Sequence, residues 1–285
     1  MRFDNSRESD NIEDRRGGGG GGLPIGGRSI GIGTIVMALV AMYFGVDPSV
    51  VLNQATNAPS SQVSAPSHAP ANDAETKFVR KVLGETEDTW QQLFREGGKE
   101  YVNPTLVLFS GATRTACGVG QTAMGPFYCP GDQKVYIDLA FYQELKTRFR
   151  APGDFAQAYV IAHEVGHHVQ NLLGISAKVQ AARERAGERE ANALSVRLEL
   201  QADCLAGVWA HNADASRHIL EAGDVEEALT AASAIGDDTL QKQAQGYAVP
   251  DSFTHGSAAQ RTRWFKAGME AGKLGACNTF QAKSL

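Results

Sequence analysis

Cysteine is scarce: the 285-residue chain has four, Cys117, Cys129, Cys204 and Cys277. None sits in a Cys-x-x-Cys pair, which excludes a thioredoxin-type redox centre and a zinc ribbon. Clustered basic residues are lacking too. The 27 Lys+Arg stand against 32 Asp+Glu, a formal charge of -5, and nothing resembles the basic patch that holds nucleic acid by its phosphates. No Gly-Lys-Ser/Thr follows the glycine run at 17–22, so that run is not a phosphate-binding loop. Internal repeats are absent and only one long apolar run exists, which removes collagen, coiled-coil and polytopic membrane classes. What remains is a globular composition, 42% hydrophobic and 21% charged, with room for one large domain or two small ones.

The single apolar run spans residues 29–46, without one charge. A membrane-crossing helix needs about 20 mostly apolar residues, so the run reads as a transmembrane signal anchor. Arg15, Arg16 and Arg28 precede it, and no Lys or Arg occurs from Asp47 to Thr76. The excess of positive charge on one flank predicts a cytoplasmic N-terminus and an extracytoplasmic C-terminal part. The leader before the run is long and carries as many acids as bases, which disfavours a cleaved signal peptide. The expected organisation is a cytoplasmic polar and Gly-rich N-terminus (1–28), an anchor in the inner membrane (29–46), an Ala/Pro/Ser-rich linker (47–74) and a catalytic domain (75–285).

Within the domain, Phe78, Val79, Val82, Leu83, Trp90 and Phe94 recur at helical spacing, predicting a helix over about 74–95. Residues 105–109 and 134–138 read as strands, separated by a Gly-rich loop. Helices are expected over 139–149, from an Asp154 cap to Gly174, over 187–213, over 224–235 and over 257–271. The fold class is α+β, mostly helical with a small sheet.

The chemistry concentrates at His163-Glu164-Val165-Gly166-His167. Four residues apart on a helix, His163 and His167 point the same way and can share one zinc ion. Glu164, one position round, can activate a zinc-bound water without binding the metal. In a chain of this composition the motif arises by chance about 0.01 times. Gly166 would let a second backbone approach. His168 lies about 100° round from His167 and cannot join the same site.

A catalytic zinc takes three protein ligands. A third histidine in the H-E-x-x-H-x-x-G-x-x-H pattern is ruled out, because Gln170 and Leu173 occupy the required positions. A carboxylate from a second helix is the other form. Glu199 and Asp203 share one helix face: Glu199 would bind zinc, and Asp203 would accept a hydrogen bond from a ligand histidine. Glu190 and His211 compete for the ligand role. One zinc ion per chain is expected.

His163 to Gln170 and Glu199 to Gly207 resemble the neutral zinc metallopeptidase family of bacteria. So do Met1-Arg2-Phe3-Asp4 with Arg7-Glu8-Ser9, Gly125 to Pro130, and Asp251 to Ser257. The resemblance spans nearly the whole chain. It implies a zincin-like fold, a single N-terminal membrane anchor and a gluzincin-type ligand at Glu199.

Peptide hydrolysis also needs a donor to the developing oxyanion. His255 is the candidate, with Tyr247 behind it. The strand at 134–138 reads equally as a sheet edge, along which a peptide could pair, or as an ordinary core strand. In an oxidising compartment thiols pair. Cys117 with Cys129 would staple the Gly-rich loop, and Cys204 with Cys277 the C-terminal tail. Two functions are thus in play: a membrane-anchored zinc metallopeptidase, or a membrane-anchored zinc-binding scaffold without turnover. Peptide or protein substrate and the lipid bilayer are the expected partners.

Overall fold

The computed structural model describes residues 1–4, 6–16 and 73–285. The anchor at 29–46 and most of the linker lie outside the described residues. Among the described residues no helix is long and apolar enough to cross a membrane.

Helix α1 (Ala74–Glu96) starts where Asp73 accepts the Thr76 N–H at 2.6 Å. Its apolar stripe, Val79, Val82, Leu83, Trp90 and Phe94, is buried. The expected strands form the centre of a four-stranded sheet: β2 (Thr105–Phe109) pairs in parallel with β6 (Lys134–Asp138). The β2 sequence Thr-Leu-Val-Leu-Phe is apolar on both faces, as a strand covered on both sides must be. Strand β1 (Ile12–Asp14) pairs in parallel with β2, and β5 (Phe127–Cys129) pairs antiparallel with β6. The order is β1-β2-β6-β5. A hairpin of β3 (Ala112–Thr115) and β4 (Gly118–Gln121) fills the Gly-rich stretch.

Of the two readings of 134–138 the structure has the core strand, because β2 and β5 flank it; the edge beside the helices is β5. One expectation is corrected. The globular part does not begin near residue 75. Met1–Arg15 and Pro70–Leu285 form one compact unit, and Arg16–Ala69 another. A charged N-terminal stretch gives no sequence signal for a three-residue strand.

The helical layer follows: α2 (Ala140–Thr147), α3 (Asp154–Leu172), α4 (Ile175–Arg183), α5 (Glu188–Arg217), α6 (Asp224–Ala234), α7 (Asp237–Gln245) and α8 (Ala258–Ala271). Asp154 is the first residue of α3 rather than its cap; Gly153 holds the cap position. Ser257 caps α8 through a capping box with Gln260. One core joins α1, the sheet, α3, α5 and α8, with Trp90, Phe155, Tyr159, Trp209 and Phe265 fully buried. Each such side chain contributes about 1.5–3 kcal/mol by leaving water. Disulfides join Cys117 to Cys129 and Cys204 to Cys277, so the hairpin is fixed to β5 and the C-terminal segment to α5.

Candidate metal centre

Helix α3 is buried nearly all round, which fixes its side chains against movement. It crosses α5 at Gly166: a Cβ there would stand 3.0 Å from the Ala202 carbonyl oxygen and 3.2 Å from its Cα. Glycine at 166 and alanine at 202 are what let two backbones come so close, and the closeness brings Glu199 and Asp203 to the histidines.

His163 Nε2 lies 3.2 Å from Glu199 Oε2, and His167 Nε2 lies 3.4 Å from the same oxygen. Four ligands arranged tetrahedrally at about 2.0–2.1 Å from a zinc ion stand about 3.3 Å apart. The donor set and its spacing therefore fit zinc. The outer ring nitrogens are engaged, as metal-binding imidazoles require. His163 Nδ1 meets Asp203 Oδ1 at 2.8 Å, and His167 Nδ1 meets Gln170 Oε1 at 2.8 Å.

Asp203 is the hub of a buried network. It accepts from the Tyr159 hydroxyl at 2.5 Å and from Arg261 Nε and Nη2 at 2.9 Å each. Arg261 Nη2 also donates to the Tyr159 hydroxyl at 3.1 Å. A fully buried carboxylate is stabilised only by such partners. Burial pushes the Asp203 carboxyl up, but Arg261 and His163 outweigh it and hold it below the usual carboxylate range.

The electrostatics favour a cation between these groups. Burial pushes His163 down, yet Asp203 and the hydrogen bond to Glu199 raise it to about 10. His167 is raised by Glu199 against the same burial. Glu199 is held well below its ordinary value, because the two imidazoles outweigh its desolvation. Protons on the imidazoles and a metal ion compete for the same negative field.

Glu164 is buried to 7% exposure and lines a cleft of about 810 Å³ together with His163, His167, Glu199 and His255. Its apolar wall includes Met124, Phe127, Phe141, Phe149 and Val160. His255 Nδ1 stands 3.3 Å from Asp237 Oδ1. The other oxygen of Asp237 accepts the backbone N–H groups of Thr254, His255 and Gly256 at 2.7, 2.6 and 3.0 Å. The Asp237 hydrogen bond raises the His255 pKa, against desolvation.

The other candidates stand elsewhere. Tyr247 is exposed and does not line the cleft, so it is no oxyanion donor. Glu190 is exposed at the start of α5, and His211 Nδ1 donates to the Met269 carbonyl at 2.7 Å. His168 Nε2 donates to the Val102 carbonyl at 2.6 Å while Nδ1 accepts from Tyr128 at 3.0 Å, which ties α3 to β5. Burial lowers its pKa and keeps it neutral for that role.

Tyr159, Gln170, Asp237 and Arg261 were not assigned roles from the sequence. Tyr159 lies four residues before His163 and Gln170 three after His167, so helical spacing was a usable signal for both. Asp237 and Arg261 come from distant helices, and no local pattern marks them.

A family model described as "Putative neutral zinc metallopeptidase" matches residues 1–280. The chain is 53% identical to the Uncharacterized protein YpfJ of Escherichia coli (strain K12), over 98% of this chain and 99% of that one. It is 40% identical to the Uncharacterized protein Rv2575 of Mycobacterium tuberculosis, over 86% of each. No solved structure matches.

Proposed function

The chain belongs to this neutral zinc metallopeptidase family, and on that premise we propose that it hydrolyses peptide bonds with Glu164 as general base. The observation that carries the proposal is the spacing of His163, His167 and Glu199, with the Glu164 carboxylate beside them in an open cleft. His163, His167 and Glu199 would hold a zinc ion, which would supply Lewis acidity and acidify a water bound to it. Glu164 takes the proton from the attacking water and delivers it to the leaving amine. His255, oriented by Asp237, whose hydrogen bond favours the protonated imidazole, donates to the carbonyl oxygen as it gains charge. Asp203 fixes the tautomer of His163, and Arg261 with Tyr159 keeps Asp203 ionised in its dry setting. Strand β5 at the sheet edge lines the cleft, and an extended peptide has backbone groups to pair with there. Two disulfides suit an oxidising, extracytoplasmic compartment, and the 29–46 run suits association with the membrane.

The test is Glu164→Gln in the full-length protein, with zinc content and digestion of a peptide library measured together. Zinc should remain at one per chain while hydrolysis falls on the order of 10²-fold or more. In the same assay His255→Gln should lower kcat with zinc content unchanged. Zinc without peptide cleavage in the parent protein would instead identify a zinc-binding scaffold, and unchanged cleavage by Glu164→Gln would remove Glu164 from the base role.

A further inference from the structure

Residues 1–15 are built into the domain that carries the metal centre. Strand β1 pairs with β2 in the register Ile12 to Leu106, Glu13 to Val107 and Asp14 to Leu108. The Leu106 N–H donates to the Asn11 carbonyl at 2.8 Å, and the Arg15 N–H donates to the Leu108 carbonyl at 2.7 Å. Arg15 also donates to the Arg114 carbonyl at 3.0 Å and stands over the Tyr136 ring. Glu13 receives Lys134 Nζ of β6 at 2.7 Å.

Helix α1 is shaped for the same segment. Glu87, fully buried, accepts from Arg7 at 2.6 Å, Ser9 at 2.6 Å and Asn11 at 2.7 Å. All three donors lie before the 29–46 run. A carboxylate in a dry interior is tolerated only with such partners. Ser9 is itself fully buried and exchanges backbone contacts with Arg80: its N–H donates to the Arg80 carbonyl, and Arg80 Nη1 donates to its carbonyl, each at 3.0 Å. At Gly84 a Cβ would stand 2.7 Å from the Arg7 carbonyl oxygen, so only glycine lets the segment cross α1 there.

Strand pairing and a shared buried carboxylate need direct contact. One passage across a bilayer would place about 30 Å of hydrocarbon between the two partners. We infer that residues 1–15 and 73–285 face the same compartment. This is incompatible with the opposite-sides arrangement read from the basic residues before the apolar run. Arg15, counted there as a cytoplasmic anchor, instead follows β1 directly and bonds its backbone N–H to β2. The charge rule reads basic residues near a membrane segment and cannot see that one of them is already engaged in a fold.

The inference is tested in the full-length chain in cells. Glu8→Cys and Lys99→Cys place single thiols at two exposed positions, one on each side of the run in sequence. Intact spheroplasts are treated with a membrane-impermeant maleimide, and labelling is compared with that after lysis; the parent protein controls for its bridged cysteines. Equal labelling of both positions is expected, within about twofold. Labelling of Lys99→Cys in intact spheroplasts with Glu8→Cys protected until lysis, or the reverse, would overturn the inference. Protection of both until lysis would support it and would refute only the extracytoplasmic placement. A second measurement does not depend on either surface position. Glu13→Cys with Lys134→Cys, treated in intact cells with a short bismaleimide, should give a cross-linked peptide pair by mass spectrometry. Its absence, with each thiol singly modified, would also overturn the shared compartment.

Discussion

Arg261→Met is the most informative perturbation of the metal centre's support. Arg261 is 3% exposed, and its guanidinium makes two 2.9 Å bonds to a fully buried Asp203. Methionine keeps most of the volume and removes the charge, leaving Asp203 ionised without its main counter-charge. Breaking a buried pair from one side costs about 3–5 kcal/mol. Total stabilities of about 5–15 kcal/mol make that a large fraction. With a urea slope of about 3 kcal/mol/M, the midpoint should fall by about 1–1.7 M. The assay is urea unfolding followed by tryptophan fluorescence, since Trp209 and Trp264 lie in the same core. The double variant Asp203→Asn with Arg261→Met removes both charges and should lose less than the sum of the singles, with a coupling of at least about 1 kcal/mol. A single-variant loss below about 1 kcal/mol, or strictly additive losses, would refute the view that Asp203 depends on Arg261.

Glu199→Ala deletes one of the three proposed ligands and should weaken zinc binding by more than about tenfold in a competition assay with a chromophoric chelator; unchanged affinity would return the role to another carboxylate. In the metal-free protein the His163 pKa is raised to about 10, because Asp203 and Glu199 outweigh its burial. A raised folded-state value contributes stability that is complete below about pH 6.5 and is lost as pH climbs through about 10. The urea midpoint of the metal-free form should therefore fall over that window while the zinc-loaded form stays flat, and parallel profiles would reject the assignment. Replacing Cys204 and Cys277 with serine opens a loop with a sequence separation of 73 residues and should cost about 4 kcal/mol, more than the shorter Cys117 to Cys129 bridge at about 3 kcal/mol. Calorimetric midpoints in the reverse order would contradict the loop-closure argument.

The chemistry of the site was legible because it is local. His163, Glu164 and His167 lie within five residues, and helical periodicity alone puts the two imidazoles on one face. Glu199 and Asp203 were legible for the same reason, as a second pair one turn apart. Helices α1, α3, α5 and α8 and strands β2 and β6 announced themselves through apolar periodicity or continuous apolar runs. Both cysteine pairings followed from which segments had little else to hold them. What the sequence could not determine is anything carried by contacts across long separations. Arg261 reaches Asp203 from 58 residues away, and Asp237 shapes the His255 loop from 18. Whether 134–138 is an edge or a core strand was decided by β5, since strand order is a property of the assembled sheet and not of any one strand. The N-terminal segment is the clearest case. Residues 1–15 read as a polar, charged leader, because three residues of strand and a set of side chains aimed at Glu87 have no periodicity to detect. Only the tertiary structure, by bringing β1 against β2 and Ser9 into the core, shows that this leader completes the domain.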